Sequence, residues 1–255
     1  VKKEADNLSD IRVQSMDREM AVEKPGFFKR LMWLFVSPGR LMEELAGKPR
    51  VLFWMVFGSL AAAVPYAVRR PVYEEMLRKS IAAGSEYMES FGIEMTPEMI
   101  EAGLPRAVVT GIVTAPVYAA AGFALMALLF FIILRIMGGE GKYKAYLSVV
   151  VHAGIIPVLY SLLLTAVSFY TGSLHQAAPL TSLASLASPE EMNPYVYGLL
   201  AGIDVFAIWR YSVMAIGLTA VSKLKKKQVY IAVAVIFAIR VACTMYGMPA
   251  ALQLM

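Results

Sequence analysis

The chain has 255 residues, 58% of them hydrophobic and only 17% charged, with a formal net charge of +5 and a mean hydropathy of +0.61. Soluble domains run at about 45–50% apolar and about 25% charged, so this composition excludes an ordinary water-soluble protein. The lone Cys243 excludes an internal disulfide, and two distant histidines without a cysteine pair argue against a zinc site; no cofactor is expected.

Residues 1–26 mix charges without apolar periodicity and read as a mobile tail. Residues 27–50 then read as two interfacial amphipathic helices. Phe27–Val36 sets an aromatic face against Lys29 and Arg30 and is too short to span, which suits a helix lying flat at the bilayer surface. Ser37-Pro38 opens the second, because serine caps and proline is tolerated at the first helical position. Its apolar face is Leu41, Met42 and Leu45, its polar face Arg40, Glu43 and Glu44, and Gly47 stops it. Two readings stand for this wedge: a plain elbow before the first span, or a docking surface in which Arg40, Glu43 and Glu44 meet a partner.

From residue 51 the apolar residues gather into five runs, at about 51–68, 107–137, 143–171, 195–222 and 228–248. About 18 or more such residues can cross a bilayer core as a helix. The expected fold is therefore an all-α membrane protein: a five-helix transmembrane domain over 51–248. Residues 69–106 form a helical external loop, with Pro71–Phe91 at helical spacing and Thr96-Pro97 opening a second helix. These helices lid the bundle, contact a partner domain, or serve as plain connector.

Lysine and arginine near span ends stay on the cytoplasmic side. Arg40, Lys48 and Arg50 precede the first run, Arg135, Lys142 and Lys144 lie between the second and third, and Lys223–Lys227 lies between the fourth and fifth. Residues 172–194 contain no lysine or arginine. The expected placement is a multi-pass protein of the cell membrane, N-terminus cytoplasmic and C-terminus external; Arg69 and Arg70 dissent. The basic residues hug the spans, so they point to membrane lipids rather than nucleic acid, and Lys223–Lys227 should attract anionic lipid.

Charges inside spans are costly and mark either structure or function. Asp204 lies about 13 Å below the outer end of the fourth run and Arg240 about 12 Å below the outer face in the fifth, so an Asp204–Arg240 ion pair is expected. His152 is either a hydrogen-bonded packing residue or a proton relay. Arg210 either snorkels or meets Glu140. Gly198 and Gly202 make a GxxxG step, and Gly111, Ala115 and Ala119 a small-residue ridge; such faces serve internal helix packing or a homo-oligomer. Pro116 and Pro157 should kink their helices. The chain carries no HExxH, GxSxG or GxxxxGK[ST] motif, and no catalytic residue is expected.

Taken in order, SPGRLMEELAGKP, GGEGKYKAYLSVVVHAGIIP and DVFAIWRYSVMAIGLTAVSKLKKKQ resemble the Yip family of Ypt/Rab-interacting five-span membrane proteins, over roughly residues 27–245. AGKPRVLFW stands where the eukaryotic branch has a DLYGP-type motif, so the likeness is to the bacterial branch. It implies a non-enzymatic accessory or scaffold protein, associated with other membrane proteins such as ABC-type transporter subunits. The alternative is a small transporter or lipid- and ion-handling protein using Asp204, Arg240 and His152.

Overall fold

A computed structural model describes residues 26–89, 91–92, 94–172 and 180–252, the side chains of residues 86 and 87 excepted. Residues 1–25, and with them nearly all of the expected tail, lie outside that range. The chain divides into two compact units, Val1–Ser37 and Pro38–Met255.

In the first unit, α1 (Phe27–Val36) is helical over the expected residues, but Arg30, expected on its polar face, is buried. Phe28, Met32, Phe35 and Val36 recur at helical spacing and are exposed, Phe28 to 81%.

The second unit is an all-α bundle. It comprises α2 (Pro38–Gly47), α3 (Leu52–Ala61), α4 (Val64–Val68), α5 (Arg70–Glu89), α6 (Pro97–Ile136), α7 (Tyr143–Ala153) and α8 (Ile155–Thr171). A 3-10 turn at Leu183–Leu186 leads to α9 (Pro194–Gly202), α10 (Val205–Ser222) and α11 (Lys226–Leu252). Among the described residues, four stretches are long and apolar enough to cross a membrane: α6, α7 with α8, α10, and α11. A fifth forms only if Leu52–Val68 is joined to α5 across an 86° bend.

The α2 helix runs over the expected residues, but its apolar face is covered by protein. Leu41, Met42 and Leu45 are at most 1% exposed, and the helix packs on α10 and α7. Gly217 on α10 permits this, since a Cβ there would lie 2.7 Å from Met42 Sδ and 2.6 Å from Val149 Cγ1. The polar wedge is thus a piece of the bundle that keeps Arg40 and Glu43 in solvent. Glu44 faces Arg50 at 4.0 Å.

The start of α3 is pinned by one serine. The Arg50 N–H donates to Ser148 Oγ at 3.1 Å, and that hydroxyl donates back to the Arg50 carbonyl at 3.0 Å. Phe123 of α6 fills the space left by two glycines, Gly58 of α3 and Gly154 between α7 and α8. The third span is interrupted at Gly154, close to where Pro157 withholds its N–H from the carbonyl four residues back. By contrast α6 continues as one helix through both Pro105 and Pro116.

At 40 residues α6 is about 60 Å long, twice a bilayer core of about 30 Å. Thr96 caps it, accepting from the Met99 N–H at 3.4 Å. Its first turns carry α5 alongside, joined by a small core of Tyr73, Leu104 and Val108. Arg78 ties the pair at the surface, 2.6 Å from both Glu75 and Glu101. Gly111 is placed against the Tyr73 hydroxyl of α5, whereas Ala115 and Ala119 are half-buried.

The dissenting Arg69 has a structural use. It donates from Nη2 to the Ser168 carbonyl at 2.8 Å, in the last turn of α8, and its guanidinium lies 4.4 Å from the Phe169 ring centre. A cation at a helix C-terminus opposes the negative end of the helix dipole.

At the lysine-rich end, residues 138–141 clip two hairpins together. Gly138 and Gly141 adopt φ of +90° and +88°, a region open to glycine at no steric cost. The Glu140 N–H donates to the Ser222 carbonyl at 2.8 Å, and Tyr146 donates to the Glu140 carbonyl at 2.7 Å. The Glu140 carboxylate meets Lys223 Nζ at 2.7 Å, which holds its pKa below the usual carboxylate range. The ion pair is therefore complete at neutral pH and is lost as pH falls through that lowered value, a small effect because both side chains are in solvent. Glu140 thus meets Lys223 and not Arg210, the second of the two readings for that arginine.

Candidate functional site: the break in the fourth span

The fourth apolar run was expected as one helix and is two. The chain leaves helical geometry at Ile203 and Asp204, between α9 and α10. A helix end exposes carbonyls, a helix start exposes N–H groups, and neither can be left bare in a membrane. The residues around the break supply what is missing.

Asp204 caps α10. Its Oδ1 accepts from the Ala207 N–H at 2.8 Å, and its Oδ2 accepts from the Thr181 hydroxyl. The residue is 4% exposed. Arg240, from α11, serves the other side of the gap and donates from Nη1 to the Gly202 carbonyl at 2.9 Å. The acid thus sits at a helix start and the base at a helix end, the arrangement each dipole favours.

This corrects the expected pairing. Asp204 and Arg240 share the break, as their similar depths suggested, but are not within salt-bridge distance of each other. Each has a backbone partner with a stronger need. A lone buried carboxylate and a lone half-buried guanidinium would each be costly in an apolar medium, and the two helix ends compensate both.

A non-helical strand completes the knot. Ser182 and Asp204 form an isolated antiparallel bridge. The Leu183 N–H donates to the Ile203 carbonyl at 3.1 Å, and the Val205 N–H to the Thr181 carbonyl at 3.4 Å. The Thr181 N–H donates to the Tyr160 hydroxyl at 3.2 Å, while the Tyr160 ring stacks on Phe206 at 4.4 Å. Tyr160 lies about 16 Å along α8 from its end at Thr171. The strand therefore dips along the bundle to reach it, and irregular backbone at such depth survives only when protein satisfies it.

The glycines of the GxxxG step hold α9 against α11. A Cβ on Gly198 would lie 2.6 Å from Met248 Cβ, 2.8 Å from Met245 Cα and 2.9 Å from the Thr244 carbonyl oxygen. One on Gly202 would lie 3.1 Å from Val241 Cα. The step is filled from within the same chain.

His152 stands in a different setting. It is 2% exposed, and its Nδ1 lies 2.7 Å from the Ser148 carbonyl, which can only accept, so Nδ1 carries the hydrogen. Its ring centre is 5.0 Å from that of Trp54. Arg210 lies six residues beyond Asp204 on α10, 5.8 Å from the Tyr211 ring centre. Among the described residues there is no cluster of three metal-ligating side chains.

Thr181, Tyr160 and the Gly202 carbonyl are members of the site that no motif announces. One signal of the break itself is present in the sequence. Asp204 before a fresh apolar run, just after Gly202, is a helix-start pattern, and Asn193-Pro194 is another. Asn193 does cap α9, accepting from the Tyr195 N–H at 2.9 Å.

The Yip1 domain model matches residues 33–248. The chain is also 26% identical to membrane protein YknW of Bacillus subtilis (strain 168) over 239 residues, covering 89% of this chain and 91% of that protein. No solved structure matches. The match takes in α2, the glycine clasp and the broken span together, and the chain belongs to the Yip1 domain family of membrane proteins.

Proposed function

We propose that this chain is a non-enzymatic accessory protein of the cell membrane, one that associates with another membrane protein. The observation that carries this reading is the use of Asp204 and Arg240. Both are fixed on helix ends, so neither is available to pick up and release an ion. An ABC-type export complex is the partner that the likeness to bacterial Yip proteins suggests. The exposed apolar flank of α6, with Val113, Val117 and Leu125 each at 65–66%, offers such a partner a lateral face.

Purification of the full chain from its native membrane in mild detergent tests this. The expected result is one or more membrane-protein partners in stoichiometric yield, retained by D204N. The competing reading, a transporter, draws on the discontinuous span, since broken helices build many transport sites. It requires flux by the chain alone in liposomes, abolished by D204N while the fold survives; that outcome, without partners, would reverse the assignment.

The same reading places the N-terminus in the cytoplasm and the C-terminus outside. The fifth crossing is then Leu52–Val68, which ends at the bend before α5 and carries exposed Leu52 and Leu60. Tags at the two termini are expected to be reachable from opposite faces of sealed vesicles. Reachability from one face would leave only the four long spans.

A further inference from the structure

Helix α1 has no polar face. At about 100° per residue, the buried Arg30, Trp33 and Leu34 share one side. Phe28, Met32, Phe35 and Val36 line the opposite side and are 81%, 55%, 41% and 75% exposed. Lys29 is exposed at the rim of that side, beside Val36 on the helical wheel. A surface helix in water turns polar residues outward, whereas one that is apolar all round belongs in a core or in lipid. Burial takes one side of α1. The other offers two phenyl rings, a thioether and an isopropyl group, and water is a poor cover for them.

Chain connectivity fixes the level at which that face works. Only Ser37 separates α1 from α2, so the chain holds Val36 within about 7 Å of Pro38. Met42 of α2 packs on Gly217, about 8 Å along α10 from its end at Ser222. Lys223, Lys225, Lys226 and Lys227 are exposed just beyond that end and mark where the apolar medium stops, because charges avoid it. The tether therefore keeps α1 near the boundary between acyl chains and headgroups. At 10 residues α1 is about 15 Å long, half a bilayer core, so it lies along that boundary and does not cross.

We propose that α1 is a lipid-binding surface, with Phe28, Met32, Phe35 and Val36 seated among the acyl chains of the leaflet at the lysine-rich end. Acyl chains cover such a face without a matched shape, and the tether puts them within reach. Lys29 stands at the edge of the seated face, where its long stem carries the ammonium to a phospholipid phosphate. The sequence pattern sets Arg30 beside Lys29 among the headgroups, but burial removes it from them. One lysine is left, so the attachment rests on apolar burial and does not require anionic lipid. The proposal stands apart from the accessory role and from which side each terminus faces.

The test uses the full chain with its single, exposed cysteine removed as C243S, assembled at one chain per phosphatidylcholine nanodisc. Nitroxide labels on F28C, M32C and V36C report collisions with oxygen, which concentrates among acyl chains, and with a water-soluble nickel chelate. L125C on the exposed flank of α6 supplies the lipid reference and E190C the aqueous one. Every labelled position is exposed, so the label disturbs no packed contact. Oxygen collisions are expected to dominate at all three sites, at an immersion of about 5–10 Å, with K29C shallower than each. Exchange of part of the phosphatidylcholine for phosphatidylglycerol should leave these depths unchanged. Nickel-dominated collisions at the three sites put the face in water and overturn the proposal. Low collision rates with both reagents overturn it too, because the face is then covered by protein, be it residues 1–25 or another part of the chain. Immersion that appears only with phosphatidylglycerol overturns it as well, since charge and not apolar burial then holds the helix.

Discussion

Asp204→Ala is expected to cost the folded bundle about 2–4 kcal/mol, while Asp204→Asn costs under about 1 kcal/mol. Loss of an N-cap alone costs about 0.5–2 kcal/mol. Alanine also takes the acceptor from the half-buried Thr181 hydroxyl, which adds up to about 1–3 kcal/mol. Asparagine keeps a side-chain oxygen at the position of Oδ1, so the Ala207 N–H stays satisfied, its amide N–H donates to a Thr181 hydroxyl turned to accept, and asparagine ranks with aspartate as a cap. The comparison separates two physical pictures. Were Asp204 held in place by the charge of Arg240, asparagine would lose that attraction and resemble alanine. Equilibrium unfolding in mixed micelles measures both variants. Near-equal losses for the two would restore the ion pair and remove the cap as the reason for the buried acid.

Gly198→Ala is expected to destabilise by about 1–3 kcal/mol, the usual range for overpacking a filled interface. The added methyl meets Met245 Cα and the Thr244 carbonyl oxygen, which are backbone atoms and cannot swing aside. Relief comes only from moving α9 away from α11. That movement would also pull the Gly202 carbonyl from Arg240 and disturb the break. Gly247→Ala is the matched control, because a methyl there would enter open space, with no packed neighbour within 4 Å. The glycine there should be replaceable with no loss, or a slight gain from higher helix propensity. The two variants compared by thermal unfolding in one detergent give the result. Equal melting points would mean that α9 does not pack against α11 in the way described.

Much of the architecture was legible because bilayer crossing is written in composition. Runs such as 143–171 and 228–248 need no partner to announce themselves, since length and hydropathy alone decide whether a segment can enter lipid. Start signals read equally well where they stood in polar surroundings. Pro38 opens α2 and Thr96 caps α6. The same local signal failed at Asp204 because its surroundings were apolar, and a charge there invites a search for a countercharge. The depth estimate brought Asp204 and Arg240 to one level. It could not say that a backbone carbonyl and a backbone N–H waited between them.

What the amino-acid order determines by itself, then, is the solvent: apolar runs of spanning length, basic clusters beside them, and short helices with their caps. What only the tertiary structure decides is how each costly group is satisfied. The face of α2 goes to protein and not to lipid, because Gly217 leaves room for Met42. The fourth run breaks, because Thr181 and Arg240, 23 and 38 residues from their partners at the gap, arrive to complete its hydrogen bonds. Hydrophobic transfer is a property of each segment and is read locally. Hydrogen-bond satisfaction in a medium without water depends on which distant groups come within about 3 Å, and only the folded chain brings them there.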